Sequence, residues 1–145
     1  MNQPSFSWEA FYATPVVAIL RGQSLTTCIK IAEALQATGL GTLEVTMNTP
    51  DVANIIAELH ARFPGLNVGA GTVCTPAELE VALAAGSSFI VTPIIDEEVI
   101  STCVDRGIPI FPGAYTPTEI YKAWSLGASA VKVFPASQLG VKYLK

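Results

Sequence analysis

The stretch SAVKVFPAS, residues 129–137, sets Lys132 in the middle of a run that otherwise reads as a buried strand. Lysine is among the residues least often fully buried, so its place needs a reason. Side chains alternate faces along a strand. Val131 and Val133 therefore take one face, and Lys132 and Phe134 the other. TLEVTMN, residues 42–48, divides the same way: Leu43, Val45 and Met47 against Glu44, Thr46 and Asn48. A central strand of an open parallel sheet packs helices on both faces and offers an acid or a lysine no good environment. A closed barrel has one face against its helices and one facing a lumen, whose C-terminal mouth carries the chemistry. The polar positions point to a (β/α)8 barrel.

The rest of the chain repeats one theme. Short apolar, β-branched runs stand at VVAILRG (16–22), TLEVTMN (42–48), NVGAGTV (67–73), FIVTP (89–93), IPIFPGA (108–114) and AVKVFPAS (130–137). Each gap leaves room for a helix of about 10 to 15 residues with short loops, the size of a βα unit. Thr49-Pro50, Thr75-Pro76 and Thr116-Pro117 each place a capping hydroxyl before a proline suited to the first helical position. Glu78 and Glu119 complete capping boxes with Thr75 and Thr116. Helix ends are expected at Gly39, Gly86, Gly107 and Gly127. A dinucleotide-binding sheet would need G-x-G-x-x-G after its first strand, which LRGQSLTT does not supply, and GAGT (69–72) alone is a weak nucleotide signal. Residues 1–145 thus read as a single barrel domain with six βα strands where a complete barrel has eight, so the last two units are expected to be missing.

Composition narrows the function classes. Half of the 145 residues are apolar and 14% are charged, the balance of a compact globular chain. A net charge of −4 argues against a nucleic-acid surface. No apolar run approaches the length of a membrane span, and MNQPSFSWEAFYATP lacks the basic and apolar regions of a signal peptide. Cys28, Cys74 and Cys103 are scattered and odd in number, which favours a reducing cytoplasm over a disulfide framework. The one histidine, His60, reads as a surface helix residue, so a metal site is not expected.

Lys132 then has three readings. It is a clamp for phosphate or carboxylate at the lumen mouth, one half of a structural ion pair, or a nucleophilic amine that forms a Schiff base. Desolvation penalises the charged form of an amine, and a neutral amine is the nucleophile. Glu44 shares the lumen face, either as an ion-pair partner or as a general acid/base for imine chemistry.

The six motifs together, in order from about Val16 onward, resemble the 2-keto-3-deoxy-6-phosphogluconate/4-hydroxy-2-oxoglutarate aldolase family. That resemblance implies a metal-free and cofactor-free class I aldolase on a (β/α)8 barrel, a homotrimer of the cytoplasm. It implies Lys132 as the Schiff-base lysine and Glu44 as the acid/base. Arg21 and Thr72 match residues that hold the substrate carboxylate and neighbouring oxygens, and Pro93 would shape the pyruvate pocket. The expected reaction cleaves a 2-keto-3-deoxy-6-phospho sugar acid to pyruvate and glyceraldehyde 3-phosphate. Members that cleave the gluconate epimer commonly carry arginine where this chain has Asn48, and MNTP more closely resembles the galactonate branch. The family's phosphate loops follow strands seven and eight, which the six-unit count does not reach. Two other readings stay open: a truncated barrel serving as an assembly or binding scaffold, and another phosphate-handling barrel such as an isomerase or synthase. The isomerase or synthase reading would explain the fold and GAGTV but not Lys132 facing Glu44.

Overall fold

The computed structural model describes residues 5–144. A short helix α1 (Trp8–Ala13) precedes six βα units: β1 (Ala18–Leu20), α2 (Leu25–Ala37), β2 (Thr42–Thr46), α3 (Val52–Arg62), β3 (Asn67–Gly71), α4 (Pro76–Ala84), β4 (Ile90–Thr92), α5 (Glu97–Asp105), β5 (Ile110–Ala114), α6 (Pro117–Ser125), β6 (Lys132–Val133) and a 3-10 turn at Val141–Leu144. All strand pairs are parallel, and spatial order follows chain order from β1 to β6. This is the βα sequence of a (β/α)8 barrel, carried through six strands.

The two faces of the sheet bury different things. Leu43, Val45, Val68, Ala70, Ile90 and Ile110 pack outward in one cluster with helix residues such as Ala32, Ile56, Leu59, Leu79 and Ile100. Phe89, Val91 and Phe111 form a second cluster with Phe6, Trp8 and Val17. Ile90 joins the outer cluster while its neighbours Phe89 and Val91 join the inner one, as a side-chain period of two requires. Gly69 makes room for this filling, because a methyl group there would overlap the Phe89 ring.

The inner aromatic cluster is closed from below by α1, an element the sequence reading did not anticipate. Asn67, the first residue of β3, accepts the Ser7 N–H at 2.7 Å and donates to the Ser7 carbonyl at 3.0 Å. This fixes α1 at the N-terminal end of the strands. Phe6 then lies edge-on to Phe89 and Phe111, with centroids 5.3 and 6.0 Å apart. The plug leaves the opposite, C-terminal end of the strands as the open mouth.

Helix punctuation largely follows the sequence signals. Thr75 and Thr116 cap α4 and α6 in complete capping boxes, each with proline in the first turn. Gly39, Gly86, Gly107 and Gly127 all take positive φ. Thr49-Pro50 departs from expectation. Helix α3 begins at Val52 with Asp51 as its N-cap in the left-handed region, and Thr49 is buried at 3% exposure. Its hydroxyl is engaged by the neighbouring loop, which removes it from the cap.

The strands are also shorter than the apolar runs that announced them. AVKVFPAS contributes only Lys132 and Val133, and both are half-buried rather than buried. The physical reason is position: β6 pairs with β5 on one side only and is an edge of the six-stranded sheet.

Candidate active site

A cavity of about 280 Å³ opens on the inner face, lined by Val17, Ile19, Glu44, Val91, Phe111 and Lys132, with Ala130 and Val131. Its wall draws on β1, β2, β4, β5 and β6, so the curled sheet brings its first and last strands to one space. Glu44 and Lys132 are the two ionisable groups in an otherwise apolar lining.

Glu44 is 3% exposed. Burial pushes its carboxyl above the ordinary carboxylate value, while the charges of Lys132 and then Arg21 pull in the other direction. Burial prevails. The ion pairs among the described residues, Arg62–Glu58, Arg106–Glu80 and Lys122–Glu97, do not join Glu44 to Lys132. The two groups share a cavity and a field without a direct salt bridge.

The seat of Glu44 is made by an absent side chain. Gly71, the last residue of β3, pairs with Thr46, and a methyl group built on it would overlap the Glu44 carboxyl. Gly113 does the same at β5. It is the register partner of Lys132, and a methyl group there would meet the Pro93 carbonyl oxygen at 2.5 Å. The backbone of Pro93 thereby comes hard against the strand that carries Lys132's neighbour. Above Lys132, the Phe134 ring lies 5.1 Å from Nζ, a cation–π distance.

At the mouth, the Arg21 guanidinium donates to Thr72 Oγ1 at 3.5 Å, a long hydrogen bond. Thr72 has φ +57°, a genuine outlier for a β-branched residue. It is held there from both sides: the Gly71 carbonyl accepts the Met47 N–H at 2.8 Å, and the Val73 N–H donates to the Val91 carbonyl at 3.2 Å. Such conformations persist only where surrounding bonds over-determine them, and they concentrate at functional sites.

The structure therefore gathers Lys132 and Glu44 into one cavity and joins Arg21 to Thr72 at its mouth. Pro93, directly after β4, has its backbone against Gly113, and like Arg21 and Thr72 it does not line the cavity itself. Asn48 is not gathered: it is exposed in the turn after β2 and does not line the cavity. Sequence reasoning missed Gly71, Gly113 and the Phe134 ring. Only the phase of Phe134 with Lys132 along the strand was available beforehand.

The cysteines are free thiols outside this site. Burial pushes all three above their ordinary value, Cys103 to about 12, which leaves them poor nucleophiles. Among the described residues no helix is long and apolar enough to cross a membrane. His60 sits half-buried near the end of α3.

Known proteins resemble the chain in sequence and in fold. Residues 9–145 match the family described as KDPG and KHG aldolase. The chain is 35% identical over 133 residues to the 2-dehydro-3-deoxy-phosphogluconate aldolase of Treponema pallidum, covering 92% of this chain and 63% of that protein. It is 36% identical over 132 residues to the 2-dehydro-3-deoxy-6-phosphogalactonate aldolase of Escherichia coli K12, covering 90% and 64%. The fold superposes with a TM-score of 0.84 and 32% identity on the KDPG aldolase of Legionella pneumophila, whose crystal structure holds pyruvate captured as a covalent carbinolamine; 93% of this chain and 66% of that one are covered. The chain spans less than two thirds of the length of the curated relatives it matches. With the family match extending from α1 to the last residue, the chain belongs to the KDPG and KHG aldolase family.

Proposed function

We propose that this chain carries the Schiff-base half of a class I aldolase that cleaves a 2-keto-3-deoxy-6-phospho sugar acid to pyruvate and glyceraldehyde 3-phosphate. The observation that carries the reading is the placement of an amine and a buried, proton-affine carboxyl on the walls of one apolar cavity. In this mechanism Lys132 Nζ attacks the C2 ketone to form a carbinolamine, the species captured in the Legionella relative. Loss of water gives the protonated imine. The base then removes the C4 hydroxyl proton, the C3–C4 bond breaks toward the imine, and the aldehyde departs. The enamine takes a proton at C3, and hydrolysis releases pyruvate and restores the amine. Glu44 is the group assigned to these proton transfers, directly or through a water. Arg21 and Thr72 would hold the substrate carboxylate, and Pro93 would bound the pyruvate methyl.

The reading extends to a homotrimer of the cytoplasm, supported by family membership and by the free thiols. Both epimers remain candidate substrates, since named relatives act on each. Asn48, exposed in the turn after β2 and outside the cavity lining, would meet the distal part of the substrate rather than the pyruvyl end. The phosphate would be held by parts of the barrel beyond the six units seen here.

Borohydride reduction in the presence of pyruvate tests the assignment in a protein carrying all eight βα units. It should attach one reduced pyruvate to the peptide containing Lys132. Lys132→Arg should abolish the label, because the guanidinium keeps its charge and cannot deprotonate. Labelling that survives this substitution would remove Lys132 from the mechanism.

A further inference from the structure

Thr49 looks like a helix cap in the sequence and is used for something else in the fold. Its Oγ1 accepts the Gly22 N–H at 3.0 Å. Thr49 Oγ1 and Thr46 Oγ1 lie 3.2 Å apart, and the Thr46 hydroxyl donates to the Leu20 carbonyl at 3.5 Å. The proton count closes in one direction: Gly22 N–H to Thr49, Thr49 O–H to Thr46, Thr46 O–H to Leu20. Thr46 is fully buried and Thr49 is 3% exposed, so these bonds form largely out of water.

The two backbone groups at the ends of this chain are the carbonyl just before Arg21 and the amide just after it. The Arg21 side chain itself is exposed, and its hydrogen bond to Thr72 is long at 3.5 Å. Its backbone is bracketed by two hydroxyls from the end of β2 and the turn that follows, at 3.0 Å on Gly22 and at a longer but buried 3.5 Å on Leu20. Gly22, at φ +65°, turns the chain immediately after the bracket. An exposed arginine side chain is thus mounted on a hydrogen-bonded backbone, two residues of strand β2 away from the row that holds Glu44.

We infer that Thr49, oriented by Thr46, is a positioning residue: it fixes the backbone of Arg21 so that the guanidinium reaches the mouth beside Thr72 and Glu44. This rests on the aldolase reading for the identity of the anion that Arg21 meets, while the bracket itself is independent of that reading. The same bracket explains why α3 starts late, since the hydroxyl that would cap it at Thr49 is already committed.

The test uses Thr49→Val, which keeps the shape and removes the hydroxyl, and Thr49→Ser, which keeps the hydroxyl, in the complete barrel. Thr49→Val should raise the pyruvate concentration that half-saturates borohydride trapping at Lys132 by about 2- to 10-fold, the effect of one hydrogen bond. The label should still form at saturation. Amide exchange at Gly22 should quicken by a similar factor or more. Thr49→Ser should restore both. In an Arg21→Ala background, Thr49→Val should add no further change in half-saturation, which a general loss of stability would not reproduce. Unchanged half-saturation with unchanged Gly22 exchange in Thr49→Val would overturn the inference, as would full additivity with Arg21→Ala. Should Thr49→Val not fold, Thr46→Val and Thr46→Ser make the same comparison one bond further along. If the unaltered protein formed no pyruvate adduct, the aldolase reading would fall, and Gly22 exchange would still decide whether the bracket exists.

Discussion

Glu44 is the residue on which chemistry and stability meet. Its carboxyl titrates above the ordinary value because burial outweighs the attraction of Lys132 and Arg21. A raised carboxyl binds its proton more tightly in the folded state, so stability falls as pH rises from the unfolded value near 4.3 through the folded value. Glu44→Gln should therefore gain thermal stability relative to the parent at pH 7, with the difference closing below about pH 4. The same variant should lose roughly 10²- to 10⁴-fold in turnover while still forming a pyruvate adduct. Normal turnover with altered melting alone would reduce Glu44 to a structural group. Gly71→Ala is the complementary experiment, because the added methyl displaces the Glu44 carboxyl without changing its chemistry. Turnover should drop by at least about 10-fold while Lys132 labelling persists, as for other losses of a positioned proton-transfer group. Lys132 and Glu44 were legible in the sequence because a charge in an apolar, alternating run has few explanations. Gly71 and Gly113 were not, because their role is set by which side chain or carbonyl the register brings opposite them.

At the scale of elements, local chemistry predicted structure well where no tertiary partner competed for it. Thr75 accepts the Glu78 N–H at 3.2 Å, and Glu78 answers by accepting from the Thr75 N–H at 3.1 Å. Thr75→Ala should cost about 1 kcal/mol, read as a lowered midpoint in denaturant with the slope unchanged. A loss near zero would mean that the Cys74 N–H, which also donates to Glu78 at 2.7 Å, holds the helix start without the hydroxyl. Thr49-Pro50 has the same sequence signature and a different outcome, since Gly22 and Thr46 claim the hydroxyl first. The aromatic residues of α1 were visible in the sequence but had no period to mark them. The helix is only six residues long, and its partners Asn67, Phe89 and Phe111 lie far along the chain.

For the molecule as a whole, the two edges of the sheet decide what surrounds the cavity. Strands β1 and β6 end the described sheet, and each presents backbone groups on one side. The edge at β1 is apolar as well: Val16 is 51% and Ile19 53% exposed. On the outside of α6, Tyr121 and Trp124 are 74% and 65% exposed and share a groove with Tyr143. Unpaired strand edges flanked by exposed aromatic surface drive association, because pairing removes both the polar and the apolar penalties. The cavity that holds Lys132 and Glu44 also borders these edges through Ile19 and β6, so whatever covers them controls access of water to the amine. Residues 1–145 purified alone should therefore self-associate on size-exclusion chromatography with light scattering, to species without a defined mass. They should also trap pyruvate at Lys132 less efficiently than a protein carrying eight βα units, in which two further strands would occupy both edges. A monodisperse 145-residue protein with the same half-saturating pyruvate as the eight-unit form would show the opposite: that six strands, the α1 plug and the mouth residues suffice to build the site.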